Sequence, residues 1–175
     1  MKITTKNLIL IALFVSITIV LSQIVIPLQP VPISLSLIAV FLSGALLGWK
    51  KGMISQFIYI LLGVLGLPVF AKYGSGLGVL FGPTGGYLLG YITAVIIIGY
   101  ISEKFLSNHI IITIIAMLLG MLSCYLLGTI WLGYVLNYNF LTALSYGVLP
   151  FILGDILKII LSAFLVQRIK KLNKI

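Results

Sequence analysis

Leu149-Pro150-Phe151-Ile152-Leu153-Gly154-Asp155-Ile156-Leu157-Lys158-Ile159-Ile160-Leu161-Ser162-Ala163-Phe164-Leu165-Val166-Gln167, followed by Arg168-Ile169-Lys170-Lys171, is the stretch that decides the fold. A helix needs about 20 predominantly apolar residues to cross the hydrocarbon core of a bilayer. Residues 149–167 meet that requirement with two charged side chains inside, and a basic cluster then stops the run. The same grammar, an apolar run closed by lysines, recurs along the 175 residues. Hydrophobic residues make up 62% of the chain and charged residues 7%, with a mean hydropathy of +1.31. Soluble domains are roughly 45–50% apolar and about a quarter charged, so these proportions describe an integral membrane protein.

Cutting the chain at charges and at Pro/Gly clusters predicts six spans in a single membrane domain over 1–175: residues 7–26, 31–49, 52–67, 84–102, 110–128 and 149–167. The fold class is therefore all-α and polytopic. The 11 Lys+Arg against 2 Asp+Glu give +9. With six spans, Lys2, Lys6, Lys50, Lys51, Lys104, Arg168, Lys170, Lys171 and Lys174 all fall on one side, and the positive-inside rule makes that side the cytoplasm, with both termini in it. The excess charge is thus topology, and it does not call for nucleic acid as a partner. Lys72 alone falls in a loop on the other side, and Lys158 lies inside a span. The first apolar run is too long for a signal-peptide core and lacks an A-x-A site, so it reads as a retained span.

Some chemistries are closed off. One Cys (Cys124) and one His (His109) cannot build a zinc, haem or iron–sulfur ligand set. The Gly-Lys dipeptide that ends a Walker A loop is absent, so the chain is expected to bind no nucleotide by that route and to carry no cofactor. Small residues recur every four positions at Gly44/Gly48/Gly52, at Gly82/Gly86/Gly90 and along Ala116/Gly120/Cys124/Gly128, the spacing that lets membrane helices approach closely. Ala12 and Ser16 form a similar pair on the first span.

Asp155 is the only carboxylate inside a span, and Lys158, three residues on, shares its helix face. It lies about 7–8 Å from Pro150 at 1.5 Å per residue. Each such charge costs of order 2.5–3.5 kcal/mol at a bilayer centre. The pair either locks the bundle as a neutralised structural unit or lines an outward cavity that binds a polar solute. The second reading is preferred, because nothing else explains burying both. Gln56 and Tyr59 share a face of the third span, either contacting solute or bonding neighbouring helices. Tyr87 and Trp131 fit interfacial belt positions. Lys72-Tyr73-Gly74-Ser75-Gly76-Leu77-Gly78 is glycine-rich but is no nucleotide fingerprint, and Gly82-Pro83-Thr84-Gly85-Gly86-Tyr87 is a tight turn feeding a helix start.

Four motifs, in order, carry a resemblance: Pro30-Val31-Pro32-Ile33-Ser34-Leu35, Gly66-Leu67-Pro68-Val69-Phe70-Ala71, Gly82 to Tyr87, and Leu149 to Lys158. From about residue 26 to 166 the chain resembles BioY, the biotin-specific S component of energy-coupling-factor (ECF) vitamin importers. The resemblance implies a six-helix S-component fold and a cell-membrane subunit, not an enzyme. Such a subunit takes up biotin from the extracellular side, with a coupling transmembrane subunit and ATPase subunits as partners. It also implies that Asp155 and Lys158 hydrogen-bond the vitamin, that Gly82, Thr84 and Tyr87 belong to its gate and pocket wall, and that Ser75 is a loop contact. Ala12 and Ser16 would be the docking face for the coupling subunit. The chain departs from the family in carrying Ser36 where Gln is frequent, and Lys72-Tyr73 where glycines are frequent.

Three other readings remain at this point: a stand-alone proton-coupled transporter using Asp155, an S component for another vitamin, and a membrane hydrolase. The last lacks a nucleophile–base or dicarboxylate constellation, since Asp155 and Glu103 fall on different spans.

Overall fold

A computed structural model describes residues 4–105 and 109–172; Lys2 and Lys174 of the charge argument lie outside the described residues. The chain runs α1 (Thr5–Gln23), β1 (Val25–Ile26), β2 (Ile33–Ser34), α2 (Ser36–Val64), a 3-10 turn (Ala71–Tyr73), α3 (Leu77–Leu80), α4 (Gly85–Lys104), α5 (Ile110–Leu136), α6 (Phe140–Gly147) and α7 (Ile152–Leu172). Four of these, α1, α2, α4 and α5, are each long and apolar enough to cross a membrane, and α6 with α7 forms a further bent pair at 54°.

The second and third predicted spans fall inside the one element α2, but they are two antiparallel arms. Gln56 Nε2 donates to Ser43 Oγ at 3.3 Å. Thirteen residues of straight helix would hold these residues about 20 Å apart, so the chain must reverse between them. It does so at Gly48, whose φ of 78° and ψ of 173° are not helical; the positive φ favours glycine. A Cβ at this position would also overlap Glu103 Oε1. The Gly48-Trp49-Lys50-Lys51 corner is therefore the break that the lysines announced.

That corner fixes one end of the molecule. Glu103, at the C-terminal end of α4, lies against Gly48, and Lys51 Nζ donates to Asn7 Oδ1 at 3.4 Å, which brings the start of α1 there. His109, before α5, shares a surface depression with Arg168 and Lys171 of α7. Lys6, Lys50, Lys51, Lys104, Arg168, Lys170 and Lys171 thus gather at one end, and Lys72 sits in the loops at the other.

α4 is the central helix, with α2 on one side and α5 on the other; α1 packs on α2, and α7 closes against α2 and α5. The small-residue stripes are the contact lines. A Cβ on Gly90 would stand 2.8 Å from Cys124 Cα, one on Gly120 would stand 3.1 Å from Ala94 O, and Gly128 receives the Tyr87 ring. Gly44 faces Ile98 in the same way, so α4 is gripped from both sides.

Several ends differ from the sequence cuts. Residues 31–35 are not helix; they carry the return strand β2 (Ile33–Ser34), paired with β1 in the register Val25↔Ser34 and Ile26↔Ile33. α5 continues two turns past Gly128, because Thr129 and Gly133 do not break it, and stops at Asn137 in the left-handed region (φ 54°). Asn139 then caps α6, accepting from Thr142 N at 2.8 Å. The segment 129–147, expected to be loop, is mostly helical. Leu149-Pro150-Phe151 form a turn rather than the first turn of α7. Trp131 is not only a belt residue: its Nε1 donates to Gly82 O at 3.0 Å and ties α5 to the turn before α4.

Candidate binding site

Asp155 lies in the first turn of α7, where the helix dipole favours a negative charge. It is 3% exposed, and Lys158, one turn later, is 7% exposed. Lys158 Nζ meets Asp155 Oδ1 at 2.7 Å. The other carboxylate oxygen, Oδ2, accepts from Tyr125 OH on α5 at 2.6 Å. Lys158 Nζ also donates to Ser34 O of β2 at 2.7 Å. Three elements thus converge on one ion pair, and both charges are solvated by protein groups instead of water, the condition for keeping them ionised while buried.

A short hydroxyl chain continues from Ser34. Its Oγ is hydrogen-bonded to Ser36 Oγ at 2.5 Å, and Ser36 Oγ to Tyr91 OH at 2.6 Å. The ion pair, with Ser34 and Tyr91 of this chain, lines a narrow void walled by Val31, Pro32, Leu37, Tyr87, Cys124, Tyr125 and Phe151. A second void shares Val31, Pro32, Ser34, Tyr87 and Tyr91 with it and extends to Ser22, Tyr59, Phe70 and Thr84. Beyond this, an open vestibule lies between the loop at Leu28–Pro32, the Lys72 loop, Gly82–Thr84, and Tyr138 and Tyr146. It shares Pro32, Ala71, Val79 and Thr84 with the second void. The mix of apolar walls with few convergent polar groups is that of a ligand pocket.

Asp155, Lys158 and Tyr87 therefore come together at the inner void, Tyr59 and Thr84 line the second, and Gly82 lines only the vestibule. Tyr87 faces inward, its hydroxyl donating to Gly147 O at 2.8 Å, instead of serving only as a belt aromatic. Two expected contacts are not brought there. Gln56 is fully buried between α1 and the α2 arms, donating to Thr18 Oγ1 at 3.3 Å and to the hydroxyls of Ser43 and Ser55, and it lines none of the three voids. It cross-links helices, the alternative its sequence position allowed. Ser75 lies in the turn before α3, also outside their lining. Ala12 and Ser16 are exposed on α1, on a face that also carries Leu8, Ile9, Leu13 and Val20.

Tyr125, Tyr91 and Ser34 are site residues that the sequence reading missed. Tyr91 follows Tyr87 by four and so shares its helix face, a signal that was present. Nothing local pairs Tyr125 with Asp155, thirty residues away.

The BioY family profile matches residues 1–174 of this chain. The chain belongs to the BioY family. It is 39% identical over 168 residues to the biotin transporter BioY of Thermotoga maritima, covering 96% of this chain and 98% of that one. It is 38% identical to the probable biotin transporter BioY of Pyrococcus horikoshii, over 94% of this chain and 96% of the relative. The fold matches the crystal structure of the S-component for biotin from an ECF-type ABC transporter with a TM-score of 0.88 and 33% identity, over 97% of this chain and 95% of the other. The helical hairpin at Gly48 and the strand-paired loop before α2 are thus parts of an S-component fold, in a multi-pass membrane protein. The BioY motif Leu149 to Lys158 is the turn and helix start that present the ion pair.

Proposed function

We propose that this chain is the biotin-capturing membrane subunit of an ECF-type ABC importer. It takes biotin from the extracellular side and passes it inward with energy supplied by separate ATPase subunits. The observation that carries the reading is the buried Asp155–Lys158 pair lining a void, in a chain similar over nearly its full length to biotin transporters. Biotin offers two ureido N–H donors, a ureido carbonyl, a thioether ring and a carboxylate tail. A carboxylate suits the N–H groups, an ammonium suits the carbonyl, and the aromatic and aliphatic walls desolvate the ring and methylenes at ~0.8 kcal/mol per CH₂. A solute whose polar groups do not match the site leaves buried polar groups without hydrogen bonds, and that penalty supplies selectivity.

Six membrane crossings, with the basic end and both termini in the cytoplasm, complete the reading. The clustering of the cations at the Gly48 corner supports it through the positive-inside rule. The voids and the vestibule then open on the extracellular side.

The rival of a stand-alone proton-coupled transporter fares worse. The Asp155 carboxylate already holds the Lys158 ammonium and the Tyr125 hydroxyl, so taking up a carrier proton there would forfeit the attraction of Lys158 in each cycle. Uptake of labelled biotin into proteoliposomes separates the two. Transport is expected with the coupling subunit and ATPases plus ATP, and not with this chain alone under a proton gradient. Uptake by the chain alone contradicts the importer reading.

The docking face belongs to the same proposal. Ala12 and Ser16 lie on the exposed side of α1, where Ser16 Oγ turns back to Ala12 O at 3.0 Å and leaves a shallow surface that a helix can approach. Ala12→Trp or Ser16→Trp is expected to abolish co-purification with the coupling subunit while biotin binding by the isolated chain stays at the wild-type level. Retained complex in both variants places the docking face elsewhere.

A further inference from the structure

The vestibule carries one charge. Lys72 is exposed on its wall, and among the described residues no other cation and no carboxylate lines it. The remaining described charges are at the Gly48 corner end or in the Asp155–Lys158 pair, which is neutral as a unit. The inner site therefore carries no net charge, and the mouth carries a positive one.

The position is built, not incidental. Lys72 and Tyr73 both adopt left-handed backbone (φ 58° and 57°), a conformation that non-glycine residues avoid. Gln23, at the end of α1, holds the turn in place. Its Nε2 donates to Val69 O at 3.1 Å and Phe70 O at 3.2 Å, and its Oε1 accepts from Tyr73 N at 3.0 Å. Phe70 N to Gly74 O at 3.0 Å closes the loop. A turn held against its conformational preference presents the ammonium beside the vestibule, and such strain needs support from its surroundings.

We infer that Lys72 is a binding residue for the carboxylate of an anionic solute at the outer mouth, and that it recruits and retains the acid form of the substrate. The inference rests on the biotin reading. It assigns to this loop a role in discriminating substrate acids from their neutral derivatives, separate from recognition of the head group at Asp155 and Lys158. Because Lys72 is exposed, the contact is screened by salt and is modest.

The test is equilibrium and stopped-flow binding of biotin and of its uncharged primary amide to the purified chain at low and high salt. Lys72→Gln keeps the length of the side chain, Lys72→Arg keeps its charge, and Lys72→Glu reverses it. The expected result is a loss of about two- to fivefold in biotin affinity for Lys72→Gln at low salt, the size of an exposed charge contact. Most of it should fall in the association rate. The loss should be larger for Lys72→Glu, absent for Lys72→Arg, and small for all three at high salt. Amide binding should be unchanged throughout. Unchanged biotin binding in Lys72→Glu, or equal losses for acid and amide, overturns the inference and leaves the biotin reading standing. A wild-type chain that binds neither compound removes both.

Discussion

Asp155→Ala is expected to reduce biotin affinity by about ten- to more than a hundredfold, the worth of one or two hydrogen bonds to a charged group. It should also destabilise the empty protein. Removing one partner of a buried pair leaves an uncompensated charge, which costs about 3–5 kcal/mol. Here part of that cost is offset, because Lys158 Nζ keeps Ser34 O at 2.7 Å, so the variant should still fold in detergent with a lowered melting temperature. The two effects separate in a second variant. Asp155→Leu combined with Lys158→Met replaces the pair with apolar groups of similar bulk, a change that is often neutral for stability. It should recover the melting temperature and still fail to bind biotin. Recovery of binding together with stability would show that the pair only locks the bundle.

The second large effect concerns the scaffold. Gly99 on α4 touches the α2 corner so closely that an added Cβ would overlap the Trp49 backbone and stand 2.6 Å from Gly48 C. Backbone atoms cannot rotate away as a side-chain tip can. Gly99→Ala is therefore expected to push α4 off the corner and lower stability by about 3 kcal/mol, the upper part of the usual overpacking range. Gly154→Ala, where a Cβ meets nothing within 4 Å, is the control and should be neutral or slightly stabilising. Thermal unfolding of both purified variants checks this. Equal melting temperatures would mean that α4 and the corner are not in close contact.

Charges made most of the architecture legible from the chain alone. Lysines are expensive in hydrocarbon, so Lys50 and Lys51 marked a turn that the structure forms at Gly48, two residues earlier. The same expense singled out Asp155 and Lys158, whose i,i+3 spacing put them on one face before any contact was known. The glycine stripes were legible as contact lines but not as to partner: spacing does not say that Gly90 meets Cys124. The segment 129–147 falls between two predicted spans because its Tyr and Asn resemble loop composition, while the real breaks are single residues, Asn137 in the left-handed region and Asn139 as a cap. Gln56 and Tyr59 looked equivalent by face, yet burial between α1 and the α2 arms made one a cross-link and the other a cavity wall. Long-range pairings such as Tyr125 with Asp155 depend on how α5 and α7 are packed, and no local pattern encodes them.

The central claim is that the void around Asp155 and Lys158 recognises biotin. Titrating the purified chain with biotin, riboflavin and thiamine tests it most directly. Saturable 1:1 binding of biotin, with no detectable binding of the other two, is the predicted result; tighter binding of riboflavin or thiamine than of biotin would contradict it.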